Sequence, residues 1–496
     1  KMLKIRNLNK KYENKEVKAN TLSYKGEINK SHITLCDLGA FNSILKNYTS
    51  TITLSAKIKG YNENIHFDNL LLSQENDFAL QANGDILDFK TGKDWDIQLK
   101  QLRTSSEGIM KTATMLNKAN ALPEFINSIG KIDLSVNANK RGNNTTLSSK
   151  LSTSLGDINV NIKKTGEHVK ADITATDFNI GELTNNNAFG TFTGNLFAEG
   201  VIKGNDIISA SGNVDVKSFT YNNHTFKDAK AIASYIKNGK SHATIDINDN
   251  AGNINLIANY DRLIKSHSIS ISGQVDNLAP ASLGLTDKWE GKRFSFAVNG
   301  NLTGKDLPSS NGNLLITDFS IRDDEGNYKL NEIEIHKTVK EKTHQITFKS
   351  DFATLRAEGE FNYETLVNSF TNAIYNRLHT LPGLKKRPAT NNNFNIYATI
   401  NNTEVAQKLF DIDLQIHEPL HLIANINDAE HKIDIRLDAS RFAYNGNNYR
   451  NGHLLLLCPN DTMQAVINAS QISDNGDATY TIRAKAANNQ LDTKFV

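Results

Sequence analysis

The stretch 417–421 reads His-Glu-Pro-Leu-His and matches the H-E-x-x-H pattern of zinc metalloproteases. That pattern needs a helix, because a helix places both histidines on one face beside the zinc ion, with the glutamate as general base. Here the stretch follows a strand-like alternation of Ile412, Leu414 and Ile416, and Pro419 would break a helix. In an extended strand, residues four apart lie ~13 Å apart, too far to share one metal. The sequence therefore predicts no zinc site.

A second stretch, 246–252, resembles a calcium-binding loop in its Asp and Asn content. Its Gly252 comes one position late, however, and Ile257 occupies the place of the bidentate glutamate. We predict a turn between two strands there. Cys36 and Cys458 have no neighbouring histidine, and neither a phosphate-binding loop nor a nucleophile elbow occurs in the sequence. We therefore expect no cofactor, no metal and no enzymatic activity.

Charge and length narrow the remaining function classes. The 496 residues include 56 basic and 54 acidic side chains, for a net charge of +2. Proteins that bind nucleic acids usually carry a concentrated basic surface, so we expect no nucleic-acid partner. No apolar run approaches the ~20 residues of a membrane-spanning helix, and the chain starts without methionine. We expect it to be a section of a longer protein.

The elements that carry these residues are mostly strands, because apolar and polar side chains alternate along most of the chain. The alternation is plain in 131–139, 157–163, 293–298 and 432–438. Successive side chains of a strand point to opposite faces, so each of these segments has one apolar and one polar face. With only 7 prolines to interrupt the ladders, the sequence predicts a mainly β protein with a long antiparallel sheet.

Asparagine-rich turns are expected to join these strands. Asn-Gly pairs favour tight hairpin turns because both residues tolerate positive φ. Such pairs occur at 83–84, 299–300, 311–312 and 475–476. A weak internal repeat of aromatic strand, Asn- or Asp-rich turn and aromatic return strand occurs at 61–67, 218–227, 318–330 and 441–450. This repeat suggests one multi-strand unit used several times.

Three segments switch to helical spacing. One falls within 104–130, where Ile109, Met110, Ala113 and Leu116 share a face between Ser105 and Asn117. A second spans 363–380, and a third spans 403–410 with Thr403 as its N-cap. We expect these amphipathic helices to plug or cap the apolar sheet; a helix on a membrane surface is the alternative. We interpret the basic stretch 385–387 as a solvated loop rather than a contact to lipid headgroups.

A half-apolar sheet must hide its apolar face. It can pack on a second sheet, close into a barrel or β-helix, or curl lengthwise. We predict an elongated antiparallel sheet curled into a taco-like hydrophobic groove, with a few short amphipathic helices. Such a groove would bind acyl chains, with a favourable free energy of about 0.8 kcal/mol for each CH₂ group that is buried. The alternation predicts these lipid-binding residues along the groove: Ile132, Leu134, Val136, Ile158, Val160, Ile162, Ile254, Leu256, Phe294, Phe296, Val298, Ile433, Ile435 and Leu437.

Several stretches resemble a known family. They are the helical segment 104–130, which ends in Ala-Leu-Pro-Glu-Phe-Ile before Ile129-Gly130; the stretch 177–183; and the stretch 273–285, which leads into 294–304. Together they are similar to the TamB branch of the AsmA-like envelope proteins (translocation and assembly module), in particular its long Bacteroidetes-type members.

The resemblance implies a bridge in the periplasm of a Gram-negative bacterium, tethered to the inner membrane in the full-length protein. It implies phospholipid transport along the groove toward the outer membrane. It also implies a role in outer-membrane protein assembly with an Omp85-type barrel partner. The inner-membrane anchor and the part that contacts the barrel would lie outside this chain, which would be a middle fragment.

The expected organisation has five parts. Groove sections occupy 1–103, 131–362 and 391–496, a helical insert occupies 104–130, and an amphipathic helix occupies 363–383. The alternative function is structural: a β-helix or adhesin-like repeat protein whose core is filled by its own side chains. Such folds need short repeats of fixed length, which the sequence does not show.

Overall fold

The computed structural model describes residues 4–7, 22–39, 43–88, 90–262, 265–306, 308–401, 404–458, 461–474 and 476–496. The chain divides into two compact units. The first comprises residues 1–237 and 247–249, and the second comprises residues 238–246 and 250–496. None of the described helices is both long and apolar enough to cross a lipid bilayer.

The first unit is built from antiparallel strands, each of which pairs with its neighbour in the chain. These strands are β1 (Lys4–Asn7), β2 (Leu22–Thr34), β3 (Thr51–Tyr61), β4 (Asn64–Gln74), β5 (Phe78–Leu87), β6 (Asp94–Ser105), β7 (Lys131–Arg141), β8 (Asn144–Thr153), β9 (Gly156–Thr165), β10 (His168–Asn179), β11 (Phe189–Lys203), β12 (Asp206–Tyr221) and β13 (His224–Ile236). The next strand, β14 (Lys240–Asp249), contributes residues to both units.

The second unit continues the same antiparallel pattern. Its strands are β15 (Gly252–Arg262), β16 (His267–Leu278), β17 (Arg293–Gly304), β18 (Asn311–Arg322), β19 (Asn327–Lys340), β20 (Thr343–Ser350), β21 (Ala353–Glu360), β22 (Asn393–Ile400), β23 (Leu414–Ile416), β24 (Leu420–Asn427), β25 (Lys432–Tyr444), β26 (Asn447–Leu457), β27 (Met463–Ile472), β28 (Ala478–Ala487) and β29 (Gln490–Phe495). β22 pairs with β24, and the short β23 pairs with β25. The other strands from β15 onward pair in chain order.

The strands form one sheet that does not close on itself within the described residues, since β1 pairs only with β2 and β29 only with β28. The prediction of a mainly β, open antiparallel fold with few short helices is confirmed, and this fold is consistent with a curled groove.

The helices are short. They are α1 (Ser106–Met115), α2 (Ile180–Thr184), α3 (Leu366–Tyr375) and α4 (Glu404–Phe410), and the 3-10 helices span Leu35–Leu38, Ser43–Asn47, Ala119–Ala121, Glu124–Asn127 and Tyr363–Thr365. All three predicted helical segments are confirmed. Ser105 caps α1 by accepting a hydrogen bond from the Gly108 amide at 3.1 Å. The predicted cap of α4, Thr403, lies outside the described residues.

Helix α3 is shorter than the predicted helical segment 363–380. It ends at Tyr375, because the chain then turns toward the β28–β29 connection. There the Asn489 amide donates to the Arg377 carbonyl at 2.8 Å, and the Asn489 side chain accepts from the Thr380 amide at 3.0 Å. A tertiary contact therefore replaces the last helical turns that the apolar spacing predicts.

Three of the four predicted Asn-Gly turns are wrong. The pairs at 83–84, 299–300 and 311–312 lie inside strands, and the pair at 475–476 begins outside the described residues. Gly84 and Gly300 instead make room for side chains, since a Cβ at Gly84 would lie 2.6 Å from the Phe67 ring and one at Gly300 would lie 2.9 Å from Leu314. Hairpin turns with two left-handed residues do form at Asn222-Asn223 and Asn445-Gly446.

Strand connections of an antiparallel meander alternate between the two ends of the strands. The β2–β3, β6–β7 and β10–β11 connections of the first unit therefore share one end, and these three contain its helical elements. We call this end the helical rim and the opposite end the hairpin rim. In the second unit, α3 and α4 lie in consecutive connections and so at opposite rims.

Candidate apolar binding face

The predicted lipid-binding residues of the first unit share one face of the sheet. Leu134 of β7 pairs with Leu151 of β8, which pairs with Ile158 of β9. Directly paired residues of antiparallel strands project to the same side. The same register aligns Ile132, Val136, Val160 and Ile162 with them. All six predicted positions of β7 and β9 therefore lie together.

This face continues across the first unit as uninterrupted rows of paired apolar residues and glycines. One row runs through Leu54, Leu72, Leu80, Leu102, Leu134, Leu151, Ile158, Ala175, Gly194, Val216 and Ala229. A parallel row runs through Ile58, Phe67, Gly84, Ile97, Ala138, Leu147, Ile162, Ala171, Ala198, Gly212 and Ala233. At ~4.8 Å per strand, each row follows the sheet for ~48 Å.

The second unit carries a corresponding face. Its longest row runs through Ala258, Ile271, Gly300, Leu314, Ile335, Phe348, Leu355, Ala398, Leu422, Leu437, Leu454, Ile467, Ile482 and Phe495. The remaining predicted positions of this unit share its side of the sheet: Ile254, Leu256, Phe294, Phe296, Val298, Ile433 and Ile435. We call these two surfaces the apolar faces of the two units.

β-Bulges keep the rows continuous where the alternation of the sequence changes phase. In β4 the apolar residues switch from Ile65 and Phe67 to Leu70 and Leu72 across a bulge at Asn69. Bulges at Asp177 in β10 and at Asn277 in β16 have the same effect. Asn69, Asp177 and Asn277 all have positive φ. A bulge adds one residue to one strand, so the side chains after it return to the same face.

The opposite face of the sheet is polar in each unit. Cross-strand ion pairs lie on it, including Arg103 Nε with Asp133 Oδ2 at 3.1 Å and Lys170 Nζ with Glu199 Oε2 at 2.8 Å. In β8 the exposure alternates strictly, with every polar-face residue exposed and every apolar-face residue half-buried. The apolar face is thus the more sheltered side, but it is not a closed core.

Three of the fourteen predicted binding residues are buried. Ile132 is 8 % exposed, Phe294 5 % and Ile433 2 %, whereas the other eleven are half-buried. The buried three lie where helical segments cover the apolar face. Their side chains therefore belong to packed clusters in this structure, and the eleven others form the accessible part of the predicted surface.

In the described part of the first unit, this cover lies at the helical rim. Ile109 of α1, Ile129, and Ile180 and Leu183 of α2 pack with Ile132, Leu155, Ala175 and Phe178. The Asp77 carboxylate at the β4–β5 turn holds α1 through Lys111 Nζ at 2.7 Å. Buried Gln74 accepts a hydrogen bond from the Tyr48 hydroxyl at 2.5 Å, which ties the β2–β3 connection to the same turn. The predicted capping role of this insert fits these contacts.

In the second unit, one cover is formed by α4 and Trp289. The Trp289 indole N–H donates to the Leu409 carbonyl at 2.8 Å, and its ring lies 5.1 Å from the ring of Phe294. Lys408 binds Asp323 at 3.3 Å and also Glu325, which fixes α4 to the β18–β19 connection. The hydrogen bond to Glu325 raises the pKa of the Lys408 ammonium group, so this group stays charged.

The other cover is α3, whose Leu366 and Phe370 pack against a buried cluster formed by the helix and the sheet together. That cluster comprises Ala357, Phe361, Ala373, Phe394, Ala424, Ile426, Ile433 and Cys458. Burial raises the pKa of the Cys458 thiol. This cysteine is therefore a packing residue with low thiolate content.

Two polar residues on the apolar face were not singled out by the sequence analysis. Lys337 pairs with Ile346 and His344 pairs with Val339, so both lie on the apolar side. Burial lowers the pKa of Lys337, and burial followed by the charge of Lys337 lowers the pKa of His344. His344 Nδ1 lies 3.3 Å from the Tyr363 hydroxyl, and Lys337 Nζ lies 5.1 Å from the Tyr363 ring centre. The sequence around Lys337 and His344 shows no distinctive motif, and only the strand register reveals that both lie on the apolar face.

The two motif matches have the predicted local structures. The stretch 417–419 is non-helical and leads into β24, where His421 contacts Thr399 on the polar face with its Nδ1 at 3.2 Å from the hydroxyl oxygen. The stretch 246–252 is a strand end and a turn. In the part of the chain that the structure describes, no cluster of three His, Cys, Asp or Glu residues is placed to hold a metal ion.

The conspicuous feature of both units is therefore an extended apolar face with partial helical covers. The chain matches no protein-family model, no curated protein and no solved structure.

Proposed function

We propose that the protein holds phospholipid acyl chains on its apolar faces and conducts them along the sheet. The observation that supports this most directly is the unbroken row of paired apolar residues in each unit. A globular core would bury such rows completely, whereas eleven of the fourteen predicted binding residues remain half-buried.

Acyl chains suit this surface in chemistry and in length. Transfer of a hydrocarbon chain from water to an apolar surface is favourable by about 0.8 kcal/mol per buried CH₂, and the chain needs no hydrogen-bond partners. The rows offer ~48 Å of apolar surface in the first unit, without charged side chains within them. A small polar substrate would instead require convergent polar groups, which the rows do not supply.

The cellular setting is part of the same proposal and is supported by the resemblance of the sequence. A periplasmic bridge segment between the inner and outer membranes of a Gram-negative bacterium would use such a surface to carry lipids through water. The proposed setting includes tethering to the inner membrane and contact with an Omp85-type barrel. A role in outer-membrane protein assembly belongs to the same setting.

The structural alternative has less support from the geometry. A β-helix coils its strands in parallel, whereas all paired strands described here are antiparallel. A repeat protein with a self-filled core would also bury these rows, most of whose residues are half-buried here. We therefore favour the lipid-binding proposal.

Native mass spectrometry of protein purified without detergent tests the proposal directly. We expect co-purified phospholipid with the wild-type chain. Phe296→Asp places a charge on the apolar face and should lower the bound lipid severalfold. Ala297→Asp, the neighbouring residue on the opposite face, is the matched control and should leave the bound lipid unchanged.

A fluorescence measurement provides a second, independent readout. In a Cys36→Ser, Cys458→Ala background, a polarity-sensitive dye is attached at Leu147→Cys or at Ser148→Cys. These neighbours lie on opposite faces of β8. Addition of a lysophospholipid should shift the emission at 147 and not at 148. Lipid-free protein whose dye at 147 also fails to respond would contradict the proposed function.

A further inference from the structure

A cavity of about 200 Å³ lies beside α3 in the second unit. One side is formed by successive turns of the helix, through Ser369, Asn372 and Asn376. The other sides are the loop that contains Lys386 and Arg387 and the β24–β25 connection with Asp428, His431 and Lys432. At roughly 30 Å³ per water, the cavity holds several waters, which is enough space for a phosphate group and far too little for a whole phospholipid.

The loop that carries the basic residues is fixed to the helix. Asn372 accepts a hydrogen bond from the Arg387 amide at 3.0 Å and donates one to the Pro388 carbonyl at 3.0 Å. Ser369, which is 2 % exposed, donates to Asp428 at 2.9 Å and accepts from Asn392 at 2.7 Å. Hydrogen bonds therefore fix both the loop and the helix that line the cavity, and the bond between Ser369 and Asn392 is buried.

The charge around this cavity is positive. Among the described residues, no carboxylate forms an ion pair with Lys386 or Arg387, although both line the cavity. Lys432 also lines the cavity, but Asp434, 3.4 Å from its Nζ, offsets its charge. The one acidic lining residue, Asp428, is occupied by hydrogen bonds from Ser369 and from the Asn392 amide. An arginine next to a lysine is the usual recognition chemistry for phosphate.

The cavity adjoins the apolar face. Ala373 and Ile433 line it and also belong to the buried cluster beneath α3. Two residues further along β25, Ile435 lies on the apolar face, and Leu437 follows in its longest row. An anionic group in the cavity would therefore stand at the rim of the surface on which an acyl chain could lie.

We infer that this cavity binds the phosphate of a lipid headgroup, with Lys386 and Arg387 as its main ligands. The inference rests on the proposed function, because it assigns the headgroup of the same lipid whose chains occupy the apolar face. It also revises the sequence-based interpretation of 385–387. The stretch is an exposed loop, as expected, but two of its three basic residues line a formed cavity while Lys385 does not.

The test compares two ligands that share an acyl chain, lysophosphatidic acid and the corresponding monoacylglycerol, which lacks phosphate. The variant is Lys386→Gln/Arg387→Gln, and Lys385→Gln is the matched control. We expect the double variant to bind lysophosphatidic acid about tenfold more weakly, because it loses charge-assisted hydrogen bonds. Binding of monoacylglycerol should stay unchanged, and the control variant should behave as the wild type does.

Each other outcome overturns a defined part of the inference. Unchanged binding of lysophosphatidic acid in the double variant would refute the headgroup site while leaving the proposed function intact. Failure of the wild type to bind either lipid would refute the proposed function itself. Inorganic phosphate that binds the wild type, depends on Lys386 and Arg387, and is not displaced by lysophosphatidic acid would identify a site for free phosphate instead.

Discussion

The two units carry apolar faces of the same kind but cover them differently. In the first unit the helical elements all lie at the helical rim, and Leu147 and Ile162 nearer the hairpin rim stay half-buried. In the second unit α3 and α4 approach the face from opposite rims, and Ile321 and Ile426 beneath them are completely buried. The same strand pattern thus gives an accessible surface in one place and a closed core in another. What decides between them is the position of a few short inserts.

The largest expected effect contrasts the covered and the uncovered face. Phe394, which is 2 % exposed, packs under α3 with its ring 5.1 Å from Phe361. Phe394→Ala should lower the free energy of unfolding of the second unit by about 3–5 kcal/mol, since it leaves a cavity. Leu147→Ala on the uncovered face should cost about 1 kcal/mol, since that side chain already contacts solvent. Native-state hydrogen exchange of β22 and β8 measures both. Equal costs would show that the two faces are equally packed.

A smaller effect is expected from loosening the cover over Phe294. Lys408→Met removes the contacts to Asp323 and Glu325 and should destabilise the docked α4 by about 1–2 kcal/mol. Amide exchange within Glu404–Phe410 should accelerate, and the indole of Trp289 should become more accessible to a quencher. Lys349→Met is the control, because the ion pair of Lys349 among the described residues is a long, exposed contact of 4.0 Å with Glu332. An unaltered α4 in the Lys408 variant would mean that apolar packing alone holds the cover.

The smallest expected effect is a pH dependence confined to the second unit. The lowered pKa of His344 means that the unfolded chain binds its proton more readily than the folded one. The stability contributed by the neutral imidazole is therefore complete at pH 7 and is lost as the pH falls below its ordinary value of about 6.5. His344→Gln should flatten this loss between about pH 7 and pH 5, as measured by hydrogen exchange of β20. Identical pH profiles for both proteins would exclude this role.

Much of the fold was predictable because its determinants are local. Alternation predicts the strands and their faces, and the left-handed preference of Asn and Gly explains the turns at Asn222-Asn223 and Asn445-Gly446. The same preference wrongly predicts a turn at Gly84, where the missing side chain makes room for Phe67. A glycine that relieves crowding and a glycine that permits a turn look identical in the sequence.

The covers and the cavity were less predictable because their determinants are not local. Ile433 and Ile435 belong to one alternating segment, yet only the first is buried, since α3 reaches it from a distant part of the chain. Lys386 and His431 lie far apart in sequence yet line the same cavity, with the loop of Lys386 hydrogen-bonded to Asn372 of α3. Bulges such as Asn69 also escape a search for alternation, since they shift its phase.

The order of strand pairing bears on how the chain acquires its structure. Nearly all described strands pair with their neighbours in the chain, so most contacts close short loops and carry a low entropic cost. Hairpins can therefore be added one after another, and early strands can pair while later ones are still being synthesised. The exception is β23, which pairs with β25 beyond β24. We expect β23 to join the sheet late, because its partner β25 forms only after β24 has been added.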